Sequence, residues 1–137
     1  MIQEAYVSQE VADLLKAKGF PQDPYMCNTA YTSRGRMSNN AKSFMHNSFL
    51  AVPSRCYSIA PTQQMACEWL RQEHNLSVEV YRTACGWIGC VVAIPSGTDL
   101  KFLEDDGDDL PSGQYTTHAK ACEATIRYCL DNLIKEN

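Results

Sequence analysis

Between residues 62 and 75, apolar side chains recur at helical spacing. Met65, Ala66, Trp69 and Leu70 make one stripe, while Gln64, Cys67, Arg71 and His74 fall on the polar side. Pro61 suits a first helical turn, which needs no backbone donor, and the Thr62 hydroxyl can cap the same end. Asn75 tolerates the left-handed conformation that closes a helix. Leu76, Val78 and Val80 then alternate with Ser77, Glu79 and Tyr81, the period of a half-covered strand. Residues 87–94 are apolar almost throughout, as in a central strand with better cover. The five residues between are few enough for a hairpin loop. Pro95, Ser96 and Gly97 turn the chain, and residues 100–104 read as a third, edge strand.

Two further helices frame this unit. Ser8 can cap a short one over residues 9–18, whose apolar face is Val11, Leu14 and Leu15. Gly19, Phe20 and Pro21 end it with a left-handed glycine, a hydrophobic residue and a helix breaker. From Thr116 or Thr117 a long helix is expected to run to Lys135. Its core face is Ala119, Cys122, Ile126, Cys129, Leu130 and Leu133, and its outer side is Ala121, Ala124, Thr125 and Tyr128. Residues 20–58 have the weakest periodicity: a strand over 25–32, a turn at 33–36 and a second strand within 44–52 are the expectations there. The fold expected is α+β: a small antiparallel sheet of three or more strands packed by two to three helices, with the second half in the order α-β-β-β-α. Residues 1–137 form one domain, with a helix and an irregular or β segment in 1–58, and helix, hairpin, edge strand and long helix in 59–137.

At 137 residues, with 45% hydrophobic and 20% charged side chains, the chain has enough material for a real core. No apolar run reaches membrane-spanning length, and Met1, Ile2, Gln3 and Glu4 show no leader pattern, so no membrane partner is expected and the setting is read as cytoplasmic. Seven cysteines in that setting are expected to be reduced thiols, with no structural disulfide. The α-β-β-β-α order is shared with the double-stranded-RNA-binding domain. Here, however, the net charge is −4 and the last helix opens His118, Ala119, Lys120 without a basic cluster, so nucleic acid is not the expected partner.

Candidate chemistry is sparse. His118 and Cys122, one helical turn apart, make a chelating pair, and Cys85 and Cys90 flank the hairpin, but a zinc site would need all four to converge. Cys27, Cys56 and Cys85 lie off the helical stripes without a nucleophile signature around them. The acidic run 105–109 fails the calcium-loop pattern. No cofactor or metal is therefore expected, and the reading leans away from an enzyme, with a small cysteine- or zinc-dependent enzyme as one alternative and a nucleic-acid-binding module of the double-stranded-RNA-binding topology as another. Charge gives one more signal. Residues 1–57 carry six basic side chains against four acidic, while the remainder carries six against twelve. An anionic ligand is accordingly expected between the basic segment, with Arg34, Arg36 and Arg55, and the polar helix face of Gln64, Arg71 and His74. The plainer reading of these charges is a solvated loop and a wet helix face. The small residues Ala121 and Ala124 beside Tyr128 suggest a homodimer through the last helix.

Three blocks carry a family resemblance: Val11, Ala12, Leu14, Leu15, Lys16, Lys18, Gly19 and Phe20; then Ala60, Pro61, Thr62, Gln63, Trp69, Leu70, Arg71, His74 and Asn75; and Ala121, Cys122, Glu123, Ala124, Ile126, Tyr128, Cys129, Leu130, Leu133 and Ile134. In these the chain resembles a family of small uncharacterised proteins of gut bacteria and their bacteriophages. The resemblance implies a phage or prophage setting, hence the host cytoplasm; the function expected in that setting is a non-enzymatic accessory protein that binds a small anionic molecule, on the charge pattern above, or a host protein. It brings no activity and no functional residue.

Overall fold

The computed structural model describes residues 5–32, 35–39, 57–104 and 114–134. The strand expected within 44–52, the acidic run 105–109, and Arg34, Lys42, Arg55 and Cys56 lie outside the described residues.

Helix α1 (Gln9–Ala17) starts where the Ser8 hydroxyl accepts from the Val11 N–H at 3.3 Å. It stops at Gly19, whose φ of +100° is open to glycine and costly for other residues. The Phe20 N–H then reaches back to the Leu15 carbonyl at 2.8 Å, and the buried Phe20 ring closes the cap.

The region of weak periodicity folds into a sheet of its own: β1 (Ala30–Thr32), β2 (Met37–Ser38) and β3 (Tyr57–Ile59), antiparallel in the order β2-β1-β3. Ala30 pairs with both Ser38 and Ile59. The strand expected over 25–32 is shortened because Asp23 claims its first half. The Asp23 carbonyl accepts from Met26 and Cys27, and its carboxylate accepts from the Tyr25 N–H at 2.9 Å. Helix α1 packs on β3, where the Ser58 hydroxyl donates to Asp13 at 2.6 Å.

Helix α2 (Gln63–His74) is capped by Thr62, which accepts from Met65 N–H, and ends at Asn75 in the left-handed region, φ 55°. Strands β4 (Leu76–Thr83), β5 (Gly86–Ala93) and β6 (Asp99–Leu103) follow in the antiparallel order β4-β5-β6. The hairpin loop is only Ala84 and Cys85, tighter than the five residues expected. Helix α3 (His118–Tyr128), capped by Thr117, completes the α-β-β-β-α half and passes into one π turn, Cys129–Leu133. That wider turn shifts the register of the end of the helix. Leu133, expected in the core, is exposed, and Ile134 is buried instead. The three described helices share one core. Val11, Leu15, Ile59, Leu70, Val91, Ile126 and Leu130 are each 0% exposed, and Trp69 packs against them half-buried.

The face that α3 and its π turn present inward holds Cys122, Ile126, Cys129 and Leu130 as expected, but it is wider than expected. Ala121 and Thr125 are completely buried, not outward. The reason is Gly89 in β5: a side chain there would overlap Thr125 Oγ1, with Thr125 Cβ at 3.2 Å and the Ala121 carbonyl at 3.4 Å. The helix lies directly on the backbone of the central strand, and only small residues fit beneath it. Outside remain Ala124 and Tyr128, both half-buried, with the Lys101 ammonium 5.8 Å from the Tyr128 ring centre. Among the described residues no helix is long and apolar enough to cross a membrane.

Candidate functional site

Thr62 and Thr117 set the phase of α2 and α3. With these caps, Gln63, Ala66, Cys67 and Leu70 turn inward from α2, and Ala121, Cys122, Thr125 and Ile126 from α3. Sheet order leaves β4 at an edge, beside both helices. Where the three elements meet, a cleft of about 570 Å³ opens, lined by Thr62, Gln63, Gln64, Val80, His118 and Ala119 among others, with Cys67 and Cys122 facing each other in it. Its volume falls in the range of small-molecule sites, about 300–1,000 Å³.

The lining is mixed in a way that suits a ligand. The Gln63 amide is buried and fixed: it donates to the Ala119 carbonyl at 2.9 Å and to Glu123 at 3.3 Å. Glu123 also accepts from the Ser8 N–H at 2.8 Å, so one carboxylate ties α1, α2 and α3 together. Gln64 is exposed at the rim, and the imidazole of His118 stands edge-on to Trp87, ring centres 5.2 Å apart. Val78, Val80 and Ala119 supply apolar wall.

The two cysteines hold their sulfurs 3.8 Å apart. Either thiol can donate in this contact; with Cys122 donating, that bond and the charge of Arg71, one turn along α2, bring the Cys67 thiol below its ordinary range despite burial and the opposing charge of Glu79. Cys122 is pushed the other way, by giving up that interaction, by burial and by Glu123. Burial pushes Cys129, deeper in the core, up to about 12.

Of the residues expected to bind an anion, Gln64 lines this cleft. Arg71 is exposed on the same helix but outside the lining. His74 is committed to packing, its ring 4.6 Å from Trp69, which in turn meets Phe20 at 5.4 Å. Arg36 is exposed in the β1–β2 turn, with backbone bonds to Thr32, beside the start of α1. Arg34 and Arg55 lie outside the described residues.

The zinc quartet does not converge. His118 and Cys122 share the cleft, whereas Cys85 is exposed at the hairpin tip. Cys90 points from the other face of the sheet, opposite Glu79 and 3.7 Å from Asp99. Among the described residues no group of three or more histidine, cysteine or acidic side chains is placed to hold a metal ion. Sequence reasoning missed the pairing of Cys67 with Cys122. Cys67 looked polar-side and Cys122 apolar-side on separate helices, and nothing local links positions 55 apart. Comparison with family models, with curated proteins and with solved structures returned no match.

Proposed function

We propose that this chain is a non-enzymatic phage or prophage accessory protein of the host cytoplasm, and that it binds a small molecule in the α2–β4–α3 cleft. The observation that carries the binding reading is the cleft itself: ligand-sized, part apolar, and edged by an amide from α2, a carboxylate from β4 and an imidazole from α3. The anionic part of the reading rests on a narrower base. Among the described residues no lysine or arginine lines the cleft and Glu79 does, so a ligand's anionic group would point away from Glu79 and meet Arg71 beyond the lining. A thermal-shift screen with nucleotides and with neutral polar metabolites tests this. A binder should raise the melting temperature, and Gln64→Ala and His118→Ala should each remove the shift. A screen without hits, or a hit that survives both changes and is lost only in Arg36→Ala, would discard the cleft as the site.

A host protein as ligand is the second reading, and a separate observation favours it. Helices cover one face of the β4-β5-β6 sheet, and on the other Tyr81 and Phe102 are 41% and 50% exposed beside Ile88 and Val92. Phe102→Glu would then abolish partner binding and leave cleft binding intact. A homodimer through α3 would have Ala124 and Tyr128 available but not Ala121. Sedimentation as a monomer at high concentration would end that idea.

A further inference from the structure

We infer that Cys67 and Cys122 are a reactive dithiol that closes to a disulfide by exchange with a small disulfide entering the cleft. Their sulfurs, 3.8 Å apart, need to approach to about 2.0 Å, a movement within reach of side-chain rotation. Both line the cleft, so a reagent reaches them although each residue is less than a tenth exposed.

The two have different roles. The Cys122 thiol 3.8 Å away and Arg71, one turn along α2, favour the thiolate at Cys67, whereas the carboxylate residue Glu123 adjoins Cys122, which makes Cys67 the attacking sulfur. Its thiolate displaces one half of the disulfide reagent: the reagent's S–S bond breaks, a mixed disulfide forms at Cys67, and the leaving thiolate takes up a proton. Cys122 then gives its proton to solvent and attacks the Cys67 sulfur, expelling the second thiolate, which is protonated in turn. In sum the protein dithiol loses two electrons and two protons, and the reagent becomes two thiols. The other described cysteines lack this arrangement. Burial holds the thiols of Cys27 and Cys129 up, and Cys90 is held up by burial and the Asp99 carboxylate. The exchange needs no non-covalent ligand, so it stands or falls separately from the binding reading.

The test is incubation of the reduced full-length protein with oxidised glutathione, followed by intact mass and peptide mapping. Trypsin separates Cys122 from Cys129 at Arg127, and fragmentation distinguishes Cys67 from Cys56, which shares its peptide. The expected product in the wild type is a Cys67–Cys122 bridge. In Cys122→Ser, which lacks the resolving thiol, Cys67 should retain one glutathionyl group, and Cys67→Ser should leave Cys122 unmodified. Dithiothreitol should reverse all of these. Modification of Cys85 alone, a bridge from Cys67 to Cys129 or Cys56, or native mass spectra showing zinc held by the pair would each overturn the inference. The wild-type bridge decides the matter even if a variant fails to fold.

Discussion

Gly89→Ala adds one methyl group under α3, and two effects of opposite sign compete. Gly89 has no positive φ, so its backbone is open to alanine. On conformational grounds alone, replacing a strand glycine should stabilise by about 0.5–1 kcal/mol. Packing opposes this. The new Cβ would overlap Thr125 Oγ1, with Thr125 Cβ at 3.2 Å and the Ala121 carbonyl at 3.4 Å. If Thr125 rotates, its 2.7 Å bond to the Ala121 carbonyl is lost, at about 0.5–1.5 kcal/mol. If α3 lifts instead, the contacts of Ile126 and Leu130 over the sheet loosen, and overpacking of this kind costs about 1–3 kcal/mol. Packing outweighs the backbone gain, leaving a net loss of about 1–2 kcal/mol. Urea denaturation gives the comparison, with the slope checked so that a midpoint shift means stability. Thr125→Ala should relieve the clash, so the double variant should lose less than the two single losses added together. A Gly89→Ala protein as stable as the wild type, or more so, would refute the seating of α3 on β5.

Leu130→Ala, at a position 0% exposed, should cost about 2–5 kcal/mol, and an unchanged urea midpoint would refute the shared core. Thr62→Ala removes the hydroxyl that accepts from Met65 and should cost about 0.5–2 kcal/mol in the same assay; no loss would mean that the cap of α2 contributes nothing. The Cys129 thiol is held at about 12 in the folded chain against an ordinary 9.0, so the unfolded state loses this proton first as pH rises. Stability from this group is fully present below pH 9.0 and falls toward pH 12; Cys129→Ala should lower stability at neutral pH yet flatten that alkaline decline, and an unaltered decline would contradict the burial of the thiol.

Much of the fold is legible in neighbouring residues, because helix ends and strand periods are decided within a few positions. Ser8, Gly19, Thr62, Asn75 and Thr117 bracket the three described helices by side-chain caps and left-handed turns that need no distant partner. The alternation from Leu76 and the apolar run from Trp87 likewise place the hairpin and its central strand. Distant segments decided the rest. Strands β1, β2 and β3 have two or three residues each, too few to show a period, and exist because Ala30 finds Ile59 across the chain. The face of α3 that turns inward depends on an absent side chain at Gly89, so Ala121 and Thr125 could be read as outward from their own helix alone. The cleft follows the same logic. Gln64 could be picked out as a polar position on α2, but the meeting of Cys67 with Cys122 requires two helices and a sheet edge to converge. Hydrogen-bonded caps and periodicity are local properties and survive in a string of letters. The distance between two sulfurs is set by packing and exists only in the folded chain.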